Sequence, residues 1–166
     1  MKTVLLVRHA KSSWDDPDMK DFDRPLNKRG KRDAPFMGSL LAQKNFQPEL
    51  IVASPAKRTL ITAQLIAAEI EYEQEKILTD PRLYEESFNF YLDVIKSWGD
   101  QLSKIMLVGH NPIMTSMINY LANYGLENLP TGAMFCAEMN IDSWSNVSSG
   151  LAKCYFYEYP KKYLSK

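Results

Sequence analysis

KTVLLVRHAKSSW, residues 2–14, begins as an apolar, β-branched run and then stops on Arg8 and His9. Val4 to Val7 form an unbroken apolar run, the pattern of a short strand buried on both faces in a parallel sheet. In open α/β sheets, ligands bind beyond the carboxyl ends of such strands. The fold question is therefore also a chemical one: why does this strand deliver an arginine and a histidine, side by side, to its end?

The remainder of the chain is read outward from that strand. The acidic stretch SSWDDPDMKDFDRP (12–25) has the Ser, Asp and Pro density of a loop. A helix is expected from Asn27, its N-cap, with Phe36, Met37, Leu40 and Leu41 on its apolar face and a kink or break at Pro35. ELIVASP (49–55) reads as a strand. The segment after it, with apolar residues at 60, 61, 65, 66 and 70, reads as an amphipathic helix. A short extended piece near 76–85 leads to a helix in FNFYLDVIKSW (88–98). KIMLVGH (104–110) is a strand, and the helix after it stops at Gly125. AMFCAEMNI (133–141) and LAKCYFYEY (151–159) read as an antiparallel pair.

Strands alternating with helices predict a three-layer α/β/α fold, a mostly parallel central sheet with helices on both faces. Length and pattern predict one domain over 1–166. With 20 basic and 20 acidic residues the formal net charge is zero, so no global field favours nucleic acid or a membrane as partner. No membrane-length run and no signal-peptide pattern is present, and the expected compartment is the cytoplasm. Cys136 and Cys154 stand in no metal-like spacing and are expected to be buried free thiols.

The arrangement that opens the chain recurs at two further strand ends. The second strand runs into Ser54-Pro55, with Arg58 one turn into the next helix, and the 104–110 strand ends in Gly109-His110 before Asn111-Pro112. Ser54 and Asn111 read as N-caps with proline at the first helical position, which would aim two positive helix ends at one edge. The chain has two histidines, His9 and His110, and both fall on that edge. Arg8 and Arg58 supply permanently charged forks suited to phosphate oxygens. A neutral imidazole can attack a phosphoryl group and hold it covalently. Two arginines and a second, protonated histidine would compensate the charge, with no metal or other cofactor required.

On these residues the chain resembles the histidine phosphatase superfamily, the phosphoglycerate-mutase-like enzymes. RHAKSSWDD (8–16), DFDRPLNKRG (21–30) and the short chain most resemble its SixA-type phosphohistidine phosphatases. The resemblance implies that His9 accepts the phosphoryl group and that Arg8, Arg58 and His110 bind it. Leu83-Tyr84-Glu85 looks like the family's Leu-x-Glu segment, which makes Glu85 the candidate proton donor, with Glu86 as runner-up. Lys11, Ser12 and Arg24 are assigned to the substrate rim. Asp15 stands where the mutase-like pattern has Asn, and its charge argues against bisphosphorylated sugar acids. The implied partner is a phosphorylated substrate, with phosphohistidine on protein as the first class.

Each of these residues also has an ordinary reading. Lys11 and Arg58 could be solvated, Glu85 and Glu86 could be loop acids, and Phe88, Phe90 and Tyr91 could be core and helix face. The Asp15–Asp23 loop lacks the alternate-ligand spacing, central Gly and terminal Glu of a calcium loop. The rival functions are a catalytically silent phosphate- or phosphoprotein-binding module and a small-metabolite phosphomonoesterase.

Overall fold

A computed structural model describes residues 1–165. Strand β1 (Lys2–Arg8) is flanked by β4 (Lys104–Gly109) on one side and β5 (Met134–Met139) on the other. With β2 (Leu50–Ala53), β3 (Leu78–Thr79) and β6 (Ala152–Glu158) they form one sheet in the order β3-β2-β4-β1-β5-β6. The strands from β3 to β1 are parallel, and β5 runs antiparallel to both of its neighbours.

Alternation along each central strand divides the core in two. Leu5, Val7, Ile51, Ala53, Met106 and Val108 pack against the layer of α1 (Lys28–Gln43) and α2 (Lys57–Glu69). Val4, Leu6, Val52, Ile105 and Leu107 face the layer of α3 (Phe88–Lys96) and α4 (Ile113–Ala122). Helices therefore cover both faces, as the strand pattern predicts. Each fully buried aliphatic side chain contributes about 1.5–3 kcal/mol, so β1, apolar on both faces, is bound to the centre of the sheet. No described helix is long and apolar enough to cross a membrane.

Several local expectations are corrected. α1 runs through Pro35 without the break, because Ala34, Met37, Gly38 and Leu41 around it are buried and packing outweighs the lost backbone bond. In α2 the buried face is Arg58, Thr59, Thr62, Ala63, Ile66 and Ala67, rotated away from Leu60, Ile61 and Leu65. The threonine hydroxyls tolerate burial because Thr59 donates to the Ser54 carbonyl at 2.8 Å and Thr62 to the Arg58 carbonyl at 2.7 Å. That rotation turns Arg58 inward. Neither Ser-Pro nor Asn-Pro starts its helix where expected. α2 begins at Lys57, and α4 begins at Ile113 after a cis Asn111–Pro112 bond. The Asn111 side chain still accepts from Thr115 N, one residue further back than an ordinary cap. α4 ends on Asn123, left-handed at φ 52°, before Gly125 is reached. Both cysteines are free, but only Cys136 is buried; Cys154 lies exposed on edge strand β6.

Candidate active site

Register builds the floor of the site. Arg8 pairs with Gly109 across β1 and β4, so His9 and His110 leave the sheet at the same level. His9 N donates to the Gly109 carbonyl at 3.1 Å, and Ser54 N donates to the Val108 carbonyl at 3.0 Å. The two imidazole centroids are 5.4 Å apart. They open into a cleft of ≈ 540 Å³ that also meets all the other residues expected from sequence: Arg8, Lys11, Ser12, Arg24, Arg58 and Glu85. Glu86 lines it too. Asp15 is not among its lining residues, although its neighbour Trp14 is.

The histidines are held by different means. His9 Nδ1 lies 2.7 Å from the Ala10 carbonyl, and since a carbonyl can only accept, Nδ1 carries the proton and Nε2 keeps its lone pair. Burial pushes the His9 pKa down to about 3, against the pull of the Ala10 hydrogen bond, with His110, Arg58 and Arg8 lowering it further. His110 Nε2 meets Ser54 Oγ at 2.8 Å, and burial followed by Arg58 lowers its pKa to about 4. Both rings are therefore neutral near pH 7 in the free site. A bound phosphoryl dianion would raise both values.

Arg58 is fixed by Asp21, whose local sequence marks it only as part of an acidic loop. Arg58 NH1 donates to the Asp21 backbone carbonyl at 2.7 Å and NH2 to its carboxylate at 3.1 Å. Tyr84 donates its hydroxyl proton to the same carboxylate at 2.9 Å, and Arg24 adds a 3.0 Å bond. Burial would raise the Asp21 pKa, but the Tyr84 hydrogen bond and the two arginines pull it down to about 2. A guanidinium has five N–H donors, so Arg58 keeps donors for a ligand after meeting Asp21. Arg8 gives NH1 to the Leu129 carbonyl at 2.8 Å, while its Nε is buried without a partner among the described residues.

The acidic loop closes back on itself through Ser13 N to the Pro25 carbonyl and Asn27 N to the Lys11 carbonyl. Gly30 makes this closure possible: a Cβ there would stand 2.2 Å from the Lys11 carbonyl oxygen. Arg24 is 6% exposed, bonded to Ser12 Oγ, to the Ser13 carbonyl and to Asp21, and stacked 3.3 Å from the Trp14 ring centroid. It buttresses the rim from beneath. Lys11 is half-buried, and Glu85 and Glu86 are exposed at the mouth.

Two further residues position the floor. Tyr91 is fully buried, and its hydroxyl donates to the Leu83 carbonyl at 2.6 Å while accepting from His110 N at 3.1 Å. Thr62 accepts from Ala10 N at 3.0 Å and ties α2 to the residue after His9. For Tyr91 the helical spacing signalled burial alone; nothing in the local sequence signals its bond to the His110 backbone. Among the described residues no cluster of three or more His, Cys, Asp or Glu could hold a metal ion.

Comparison with known proteins gives this geometry a context. The model of the histidine phosphatase superfamily, branch 1, matches residues 4–98. An uncharacterized chloroplastic protein of Arabidopsis thaliana is 31% identical over 66% of this chain, which spans 54% of that relative's length. Phosphoserine phosphatase 1 of Hydrogenobacter thermophilus is 26% identical, over 86% of this chain and 78% of its own. Among solved structures, a candidate phosphohistidine phosphatase SixA from Agrobacterium tumefaciens superposes with a TM-score of 0.80 at 25% identity, covering 96% of this chain and 98% of its own.

Proposed function

The chain belongs to the histidine phosphatase superfamily, and from that membership we propose that it is a phosphatase for phosphohistidine on protein, working through a phosphohistidine on its own His9. The observation that carries the reading is the state of His9: a neutral ring, its Nδ1 proton held by the Ala10 carbonyl, its Nε2 left as a nucleophile in a cleft also lined by Arg8 and Arg58.

In the first step the Nε2 lone pair attacks phosphorus in line with the leaving group. The Nε2–P bond forms as the substrate's P–N bond breaks, and the leaving nitrogen takes a proton from Glu85 or from solvent. Arg8 and Arg58 hold the equatorial oxygens, whose charge they compensate. His110, kept in place by Ser54 and Tyr91, takes up a proton as the dianion binds and donates to another oxygen. In the second step water attacks the phosphoenzyme, Glu85 accepts its proton, and the Nε2 pair returns with release of inorganic phosphate. Lys11 and Ser12 touch the substrate at the rim, over the Arg24–Trp14 stack.

We assign residues 1–166 to one such domain and place it in the cytoplasm, in keeping with the two free thiols. The likeness to a phosphoserine phosphatase favours a second reading, a phosphomonoester substrate. The test is the ratio of kcat/KM for a phosphohistidine peptide to that for phosphoserine and an aryl phosphate, with metal chelated and His9→Ala as blank. A preference for the peptide supports phosphohistidine; a preference for the esters replaces it with the second reading.

A further inference from the structure

A second cavity of ≈ 320 Å³ adjoins the cleft, and Arg8, Lys11 and Thr131 form a wall common to both. Two spaces lined by the same side chains lie about one side chain apart. Arg8, Lys11, Arg29 and Lys161 face this cavity against one carboxylate, Asp33, in a chain of zero formal net charge. That carboxylate is already committed: it is 3% exposed, 2.8 Å from Arg32 NH2 and 3.8 Å from Arg29 Nε. Lys11 and Lys161 have no ion pair among the described residues. Among the described residues Arg29 Nε is buried without a hydrogen-bond partner, and Arg29 NH2 reaches Thr131 Oγ1 at 3.5 Å. A buried donor without an acceptor costs stability until an acceptor arrives.

The cationic wall is built rather than loosely assembled. Gly132 N donates to the carbonyls of Arg8 and His9, and a Cβ at Gly132 would stand 3.0 Å from Pro160 Cγ. The turn at Pro160–Lys162 is closed by Leu164 N to the Pro160 carbonyl at 2.8 Å and anchored by Lys162 on Glu158 at 2.7 Å. Lys161 thus reaches the cavity from a turn seated on the backbone that carries His9.

We propose that this cavity is an anion subsite for the carboxylate of an acidic residue flanking the phosphorylated one, so that the preferred substrate is an acidic phosphorylated protein segment. The inference rests on the phosphatase reading for what occupies the neighbouring cleft. An extended chain advances about 3.3–3.6 Å per residue, so a side chain a few positions away can cross the common wall while the phosphoryl group stays on the floor. A second phosphate on a small molecule offers the same chemistry and is separated by the test.

The test measures the Kd of two peptides carrying a non-hydrolysable phosphonate analogue of phosphohistidine, one flanked by Glu and one by Gln. Wild type, Lys161→Glu and Arg29→Gln are compared, with a small alkyl bisphosphate as a third ligand. Wild type is expected to bind the Glu-flanked peptide about fivefold tighter, a preference that shrinks with salt. The preference should vanish in Lys161→Glu, a surface change that holds even if Arg29→Gln fails to fold. Equal affinity for the two peptides in wild type, or a preference untouched by Lys161→Glu, overturns the subsite. Tightening of the bisphosphate alone through Lys161 overturns the acidic-segment assignment. Wild-type turnover of an aryl phosphate is recorded alongside. If it is absent while the Lys161-dependent preference persists, the phosphatase reading fails and the subsite stands.

Discussion

The floor and the rim of the cleft are built on different physical terms. Arg8, His9, Arg58 and His110 sit at or just past the ends of packed strands and on a helix whose face is buried, and each has backbone or side-chain partners. Lys11, Trp14, Glu85 and Glu86 stand on loops, and Trp14 is 72% exposed. The floor is rigid and desolvated, so charges there are strong and ionisation is shifted. The rim is wet, and a charge there is screened.

The largest effect should come from the floor. His9→Ala is expected to lower kcat/KM by at least about 10³-fold, since the covalent route is lost, and to abolish the phosphoenzyme trapped by an alkaline detergent quench. Near wild-type turnover would move the nucleophile elsewhere. Arg58→Ala should cost about 10²–10³-fold in kcat, with Asp21 left to Arg24 and Tyr84. Measuring kcat and KM separately decides whether the guanidinium acts in the transition state or only in binding.

Stability against pH probes the same desolvation without substrate. Above about pH 6.5 both imidazoles are neutral whether the chain is folded or not. Below it the unfolded chain takes up protons that the folded site refuses until about pH 4 at His110 and about 3 at His9. The unfolded state then binds more protons, so stability falls as pH drops through this window. The decline in Tm between pH 6.5 and 4.5 should be shallower in His9→Gln and His110→Gln than in wild type. Parallel curves would mean that the rings are not buried as described.

Tyr91→Phe should destabilise by about 1–3 kcal/mol, because the Leu83 carbonyl and His110 N both lose a buried partner; chemical denaturation reads this directly. The smallest effect belongs to the rim. Glu85→Gln is expected to slow an alkyl phosphate about tenfold but a phosphohistidine peptide less than about twofold, since the phosphoramidate's leaving nitrogen needs little help. An equal loss on both substrates would move Glu85 from the rim into the essential machinery.

The strands, their order of appearance and the residues at their ends are legible in the chain without its fold. Val4–Val7 reads as a strand buried in a parallel sheet, and two histidines with Arg8 and Arg58 at strand ends mark one edge. These are local facts, set by hydrophobic periodicity and by where each run stops. Tertiary structure alone decided the alignment of Arg8 with Gly109, the inward turn of Arg58, and the docking of Asp21 on a helix 37 residues away. It also decided the protonation of the site. His110 looked like a cation from its role, yet it is neutral in the free cleft. A residue's charge state follows from the water that the rest of the fold removes, and that removal is written in no single stretch of the chain.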